Sequence, residues 1–215
     1  MSLKVNEIFY SIQGESSFAG RRCVFVRLTG CNLRCTYCDT RYAYEEGREM
    51  PLEAIIQAVI SYECPLVEIT GGEPLIQEDS PLLVRELGDM GFTVLLETNG
   101  SQDIGQISGR CIRIVDVKCP SSGESEKNDF QNLNRLKDDD ELKFVIADSR
   151  DYAYAKEIVA GLPGRFLGKG TVHFSPAFGR MEPARLAEWI LRGRLDVRLH
   201  LQLHKFIWPP KRRGV

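Results

Sequence analysis

The chain has 215 residues, of which 43% are hydrophobic and 27% charged, with a formal net charge of −2 and a pI near 6.0. This is the balance of a globular protein with a sizeable core, and it excludes a disordered chain or a surface built for broad attraction to nucleic acid. No apolar run approaches the roughly 18 residues of a membrane span, and the polar start Met1-Ser-Leu-Lys-Val-Asn-Glu7 is no signal peptide, so a single domain over residues 1–215 in the cytoplasm is expected.

Extended β-branched runs alternate with amphipathic stretches along the chain. A strand is predicted over 23–28, then an irregular loop over 41–50, a helix over 51–61, a strand over 66–70 and a helix over 81–90. Strands at 93–97 and 112–117 follow, with a polar loop over 100–110 between them and another over 121–127. The remaining elements are a helix over 130–136, a strand over 142–146, a helix over 151–160, a strand over 172–174, a helix over 182–192 and a strand over 197–202. Pro51 and Pro81 supply helix starts, and Gly91, Gly161 and Gly193 supply stops. Strand–helix alternation implies parallel pairing with right-handed crossovers. Periodicity alone does not separate an open (β/α) barrel from a doubly wound sheet. In either, ligands bind at the C-terminal strand ends. Cys31, Gly71-Gly72-Glu73-Pro74, Thr98-Asn99-Gly100 and Lys118-Cys119-Pro120 follow the first four predicted strands in turn. The basic cluster Lys211-Arg212-Arg213 reads as a solvated tail.

The seven cysteines suit a reducing compartment, where a cluster of thiols binds metal more often than it forms disulfides. Cys31, Cys35 and Cys38 have Cys-x3-Cys-x2-Cys spacing in a short loop. Such a loop can wrap three thiolates around one corner of an iron–sulfur cubane and leave the fourth iron open. The alternative is part of a zinc site completed by Cys64, Cys111, Cys119 or a histidine, but no second Cys knuckle follows. His200 and His204 have zinc-like spacing, yet they fall in a late apolar stretch that reads as strand, where alternation points both to one face. Cys23, Cys64 and Cys111 read as core residues.

Other segments have residue types suited to ligands. Gly71 and Gly72 allow close backbone approach, and the carboxylate of Glu73 can accept from an ammonium group; an ordinary βα turn would use the same residues. Glu97-Thr-Asn-Gly100 and Asp116-Val-Lys118 can bind hydroxyls or a carboxylate, or serve as caps and solvated charges. Gln13 and Glu15 can pair with the edge of a heterocycle while Gly14 admits a planar ring, and Arg27 offers a fork for a carboxylate. The bland alternatives are a polar hairpin and a snorkelling arginine. Thr40 is either a hard oxygen ligand or a helix cap.

The cysteine spacing, with Tyr37 before the last cysteine and Gly71-Gly72-Glu73-Pro74 one strand later, resembles the radical S-adenosylmethionine (SAM) superfamily. That resemblance implies an α/β fold, a partial (β/α)6-type barrel of parallel strands, with a 4Fe–4S cluster on Cys31, Cys35 and Cys38 and SAM on the open iron. It further implies SAM contacts at Tyr37, Gly71, Gly72, Glu73, Asn99, Asp116, Val117, Lys118 and Ser175. Glu7-Ile-Phe-Tyr-Ser-Ile-Gln-Gly-Glu15, Arg27, Cys38-Asp39-Thr40 and Leu203-His-Lys-Phe-Ile-Trp208 resemble, within it, the 7-carboxy-7-deazaguanine synthase family over nearly the whole chain. Membership would assign Ile12, Gln13, Gly14, Glu15, Arg27 and Thr70 to a reduced pterin substrate, Thr40 to Mg2+, and Glu97 to catalysis. The implied reaction is radical ring contraction of 6-carboxy-5,6,7,8-tetrahydropterin to 7-carboxy-7-deazaguanine with loss of ammonia, on the route to queuosine and related nucleosides. The implied partners are a flavodoxin-type or reductase electron donor and a second copy of the chain, with no direct nucleic-acid contact. One rival reading is an activating enzyme that takes hydrogen from a protein glycine; it leaves Gln13, Glu15, Arg27 and Thr40 without roles. A non-catalytic zinc or electron-carrier protein is the other.

Overall fold

The computed structural model describes residues 1–107, 109–166, 171–210 and 212–215. Its frame is one sheet of nine strands among the described residues. The chain opens with a long strand, β1 (Ser2–Ile12), which pairs antiparallel with β2 (Arg22–Leu28) and, on its other side, with the short β3 (Arg48–Pro51). Then come α1 (Leu52–Ile60), β4 (Leu66–Gly71), α2 (Ser80–Asp89), β5 (Thr93–Thr98) and β6 (Cys111–Asp116). The second half comprises α3 (Asn132–Arg135), β7 (Glu141–Ile146), α4 (Ser149–Ala160), β8 (Val172–Pro176), α5 (Pro183–Gly193), β9 (Arg198–Leu199) and α6 (His204–Ile207).

From β2 through β4 to β9 the strands pair parallel in sequence order. A doubly wound sheet reverses its strand order at a switch point. This one never does, so it is the barrel-like, singly wound alternative.

The predicted parallel strands and their helices are present within a few residues at most boundaries, and three expectations need correction. Strands β1 and β3 were not foreseen, and β3 lies inside what reads as an irregular loop. The helix over 130–136 shrinks to the single turn of α3, because Leu136 and its neighbours turn away to bring Asp140 beneath Arg113. The strand over 197–202 is only β9, and His204 lies on α6, so His200 and His204 do not share a strand face.

Alternation explains what each face does. Val26, Ile69, Leu96, Val115 and Phe144 point outward into a core shared with Ile55, Val59, Leu83, Leu87, Ala155 and Leu186 of the helices. The intervening positions carry Arg27, Glu68, Thr70, Glu97, Asp116 and Lys143, all of which line a cavity on the concave face. Burying six charged or polar side chains on one face is costly unless each has a partner or a ligand. That face is where the chemistry lies.

Candidate active site

The cavity encloses about 680 Å³, within the roughly 300–1,000 Å³ usual for small-molecule sites. Its rim includes the cysteine loop. Gly30 at φ +99° turns the chain out of β2, and the amide of Gly30 donates to the carbonyl of Ala43 at 2.8 Å. Cys31, Cys35 and Cys38 are free, half-buried thiols on the same cavity. The Cys31 sulfur accepts from the amide of Leu33 at 3.4 Å and from Asn99 Nδ2 at 3.8 Å, the kind of donors that steady a thiolate. Burial pushes the Cys31 thiol up and the Cys35 thiol up to about 11, so a metal binding here displaces protons.

Among the described residues, no three Cys, His, Asp or Glu side chains converge on one point as ligands of a single ion. A cubane does not require that, since each thiolate goes to a different iron. Of the residues that could complete a zinc site, Cys64, Cys111 and Cys119, like Cys23, are buried in the core, whereas His204 lines the cavity.

Gly71-Gly72-Glu73 supports the loop from below. A Cβ on Gly72 would lie 1.9 Å from the carbonyl oxygen of Gly30 and 2.8 Å from Cys31 Cβ, and one on Gly71 would lie 2.2 Å from the carbonyl oxygen of Leu28. The glycines therefore let two backbones touch and also line the cavity. Glu73 does not. It is 0% exposed, and its carboxylate accepts from Thr98 Oγ1 at 2.8 Å, the amide of Asn99 at 2.6 Å and the amide of Leu75 at 3.0 Å. Expected to receive an ammonium group, Glu73 instead fixes the turn that carries Asn99.

Tyr37, Asn99, Asp116 and Lys118 line the cavity beside the cysteines. Lys118 Nζ lies 2.7 Å from Asp116 Oδ2; burial alone would lower the lysine, but Asp116 holds it charged. Asp116 Oδ1 and Tyr37 Oη are buried without a hydrogen-bond partner, which is costly for a buried polar atom and fits polar groups of a bound molecule. Of the remaining expected SAM contacts, Val117 is in the core and Ser175 is 1% exposed, and neither reaches the cavity.

At the floor the structure alters the reading of residues 13–17. Gln13, Glu15 and Ser17 each meet a different partner on the concave face, in a segment that bends after β1 and takes a positive φ of 63° at Ser16. Gln13 Nε2 donates to Glu68 Oε2 at 2.5 Å. Glu15 forms an ion pair with Lys143 and accepts from Gln202 Nε2 at 2.9 Å. The amide of Ser17 donates to Glu141 at 3.0 Å, and Glu141 Oε2 lies 2.7 Å from His173 Nε2. Gly14 makes room for a ring, but the ring is His204: a Cβ there would lie 2.3 Å from His204 Nδ1. The segment is a plug clamped to the floor, and Ile12, Gln13, Gly14 and Glu15 line the cavity from that position.

Charge on the floor is sorted by neighbour. Burial would raise the Glu15 carboxyl, yet the Lys143 ammonium holds it well below the usual range. Glu68 is pushed well above that range by burial and by the nearby Glu97 carboxylate. Lys143 Nζ also donates to Glu97 Oε1 at 2.8 Å, and Thr70 Oγ1 donates to Glu97 Oε2 at 3.2 Å. Beside them Arg27 Nε donates to Glu7 Oε1 at 2.9 Å, the oxygen that also receives Tyr42 Oη. The Nη groups of Arg27 have no protein partner among the described residues, which leaves half of the fork for an anion.

Thr40 lines the cavity. It precedes a short turn (Arg41–Tyr44) without forming a side-chain cap, so the capping alternative fails. Its hydroxyl donates to Asp39 Oδ1 at 3.0 Å, and Asp39 Oδ2 lies 2.5 Å from Lys205 Nζ. The threonine oxygen keeps its lone pairs for a cation.

The tail is exposed but held against the protein. Arg213 Nη1 donates to Glu46 Oε2 at 2.8 Å and its guanidinium sits 3.8 Å from the Tyr42 ring centroid, while Pro210, Arg212, Gly214 and Val215 line the mouth. Lys211 of the same basic cluster lies outside the described residues.

Sequence reasoning missed Glu68, Lys143 and Gln202, and gave His204 and Lys205 no role beyond the resembling segment 203–208 and a zinc alternative. A signal existed for two of them: Glu68 and Lys143 sit at inward positions of otherwise apolar strands, where a charge has no place unless the face is a lumen.

Comparisons agree with this geometry. Residues 25–107 match the family described as the Radical SAM superfamily. Over 99% of its length the chain is 48% identical to 97% of the 7-carboxy-7-deazaguanine synthase of Chlorobaculum tepidum, and again over 99% it is 44% identical to the whole of that of Koribacter versatilis. A crystal structure of QueE from Escherichia coli superposes with a TM-score of 0.76 at 24% identity, covering 94% of each chain; at that identity it speaks for the fold.

Proposed function

The chain belongs to the 7-carboxy-7-deazaguanine synthase family of the radical SAM superfamily, and on that premise we propose how its residues share the work. The protein is an enzyme that converts 6-carboxy-5,6,7,8-tetrahydropterin to 7-carboxy-7-deazaguanine with release of ammonia, a step toward queuosine. The observation that carries the assignment of roles is that two separate motif sets, the cysteine loop with Gly71-Gly72 and the segment 12–15 with Arg27 and Thr40, line one cavity.

Cys31, Cys35 and Cys38 hold the cluster, and Tyr37, Asn99, Asp116 and Lys118 receive SAM; the free Tyr37 Oη and Asp116 Oδ1 support this. When bound, cluster and SAM supply one-electron cleavage and hydrogen abstraction. The free edge of Arg27 takes the substrate carboxylate. Glu97, held by Lys143 and Thr70, presents a fixed carboxylate to the pterin, and the plug 12–15 forms the wall beneath it. Pro210, Arg212, Gly214 and Val215 cover the mouth and keep water from the reacting centre. Thr40 would hold a Mg2+ through its hydroxyl oxygen, and the hard cation would favour binding of an oxygen-rich substrate. No helix among the described residues is long and apolar enough to cross a membrane; the reduced thiols support a cytoplasmic site, and a homodimer follows from the family resemblance.

The test is anaerobic reconstitution with iron and sulfide, then incubation with SAM, dithionite, Mg2+ and the pterin. Formation of 7-carboxy-7-deazaguanine is expected, and turnover should fall on chelation and recover with Mg2+. Thr40→Val should weaken Mg2+ and pterin binding together, because each completes the other's site. Turnover indifferent to chelation would remove Thr40 from the metal.

A further inference from the structure

The roles proposed above leave one acid of the cavity floor without any. Glu68 lies on β4, on the same face as Thr70, and Phe25 of β2 pairs with it in register; both side chains line the cavity. At 4% exposure the Glu68 carboxyl is nearly shut off from bulk water. Gln13 Nε2 occupies one of its oxygens at 2.5 Å, and the other has no protein donor among the described residues.

The neighbouring acids are held differently. Glu15 pairs with Lys143, while Glu97 receives both Lys143 Nζ and Thr70 Oγ1. Glu68 forms no ion pair among the described residues. Burial and the Glu97 carboxylate raise it well above the usual carboxylate range; Glu15 acts in the same direction, and Gln13 and Lys143 only partly oppose them. Cys23 of β2 also neighbours it, as a thiol that burial pushes up. Carboxyls whose surroundings push them apart in this way provide an acid and a base at one pH. Holding Gln13 needs only a neutral acceptor, which a glutamine would supply without the cost of burying an acid.

This inference rests on the function proposed above, in which ring carbons give up hydrogen and the departing nitrogen gains it. We infer that Glu68 is a catalytic acid of that reaction, meeting the departing amine with its free oxygen and giving it a proton. The carbon–nitrogen bond breaks with its electron pair going to nitrogen, the nitrogen takes the carboxyl proton and leaves as ammonia, and Glu68 becomes a carboxylate. That carboxylate takes the proton that a ring carbon loses as the pyrrole becomes aromatic. Glu68 is thereby restored, nothing is oxidised or reduced in the step, and no co-reactant is needed.

The test compares the full-length, cluster-loaded parent with Glu68→Gln and Glu68→Asp, supplied with SAM, dithionite, Mg2+ and the pterin. Glutamine keeps an acceptor for Gln13 and has no proton to give, whereas aspartate keeps the acid on a shorter arm. Glu68→Gln should bind the pterin with parent affinity in calorimetry and still move deuterium from C6 into 5′-deoxyadenosine. It should release product and ammonia about 100-fold more slowly, the lower end of the roughly 10²–10⁴-fold contribution of general acid–base catalysis. The acid works only when protonated, so kcat of the parent should be full at low pH and fall as pH rises through the folded pKa of Glu68. That alkaline limb should vanish in Glu68→Gln and persist in Glu68→Asp, which should also recover part of the rate. Infrared difference spectra read the carboxyl without turnover: the band of a protonated acid, present in the parent at mildly acidic pH and missing from Glu68→Gln, should shift when the pterin binds. Parent-like kcat in Glu68→Gln, an alkaline limb that survives the glutamine, or a carboxyl band that ignores the pterin would overturn the inference. A pterin affinity that falls as far as the rate would also overturn it, making Glu68 a binding group. A parent that forms no 7-carboxy-7-deazaguanine would overturn the proposed function and this inference together, whereas a working parent beside an unimpaired glutamine variant overturns the inference alone.

Discussion

Lys143 is the cation on which the cavity floor depends, and replacing it with methionine isolates that role. The side chain is 6% exposed and pairs with both Glu15 and Glu97. Methionine has similar bulk and no charge, so Lys143→Met leaves two carboxylates near each other with Glu68 close by. Removing one partner of a buried ion pair costs about 3–5 kcal/mol. At roughly 2–4 °C per kcal/mol for a chain of this size, the melting temperature should fall by about 6–20 °C at pH 8. The pH dependence is the sharper signature. In the parent, Glu15 is depressed below its ordinary value of 4.5 because Lys143 outweighs burial; its contribution is present above that value and is lost as the pH falls through the folded pKa. Without Lys143, burial is opposed only by His204 and Gln202 and the carboxyl moves up, so the variant loses stability as pH rises. The gap between parent and variant should therefore be widest at pH 8 and narrow toward pH 5. Urea unfolding of both proteins at the two pH values measures it, and Lys143→Met/Glu15→Gln should recover part of the loss. A gap below about 1 kcal/mol, or one that is flat with pH, would refute the reasoning.

Three further outcomes are expected. Alanine at Cys31, Cys35 or Cys38 should abolish cluster loading, measured as iron content and visible absorbance, whereas alanine at the buried Cys23 or Cys64 should leave the spectrum intact. Arg27→Ala should weaken pterin binding by roughly tenfold or more, from about 1.5–3 kcal/mol for a charge-assisted hydrogen bond, and leave SAM binding unchanged in calorimetry; equal losses for both ligands would make Arg27 a fold residue. For Glu68, whose folded pKa is raised by burial and Glu97, the stabilising contribution is full below 4.5 and is lost as pH rises toward the folded value. Glu68→Gln should therefore become more stable relative to the parent between pH 5 and pH 8, with a slope approaching about 1.4 kcal/mol per pH unit for one proton, read from thermal melts.

The parallel part of the fold was legible because strands buried on both faces leave long β-branched runs and helices carry start and stop residues, as at Pro51 and Gly193. Strand β1 was not, since Ser2–Ile12 alternates buried and half-buried residues with polar ones and its pairing with β2 depends on a distant turn. The short β9 and α6 depend on docking against β8 and on the seat that Gly14 provides for His204. At the site, the cysteines, Gly71, Gly72, Arg27 and Thr40 could be read from spacing and resemblance, and all reach the cavity. Glu73 and Gln13 were read as ligand contacts because of their functional groups. The structure uses those groups to hold the turn and the plug, a distinction that only the position of Thr98, Asn99 and Glu68 decides. Arg213 reads as solvated from its charge run, yet Glu46 and Tyr42, over 160 residues earlier, capture it.

The central claim is that this cavity directs hydrogen abstraction at the pterin. Its most direct test uses substrate carrying deuterium at C6, with the reconstituted protein, SAM and dithionite. The account predicts that mass spectrometry finds that deuterium in 5′-deoxyadenosine, in proportion to the 7-carboxy-7-deazaguanine formed. Unlabelled 5′-deoxyadenosine accompanied by product, or cleavage of SAM without any product, would contradict it.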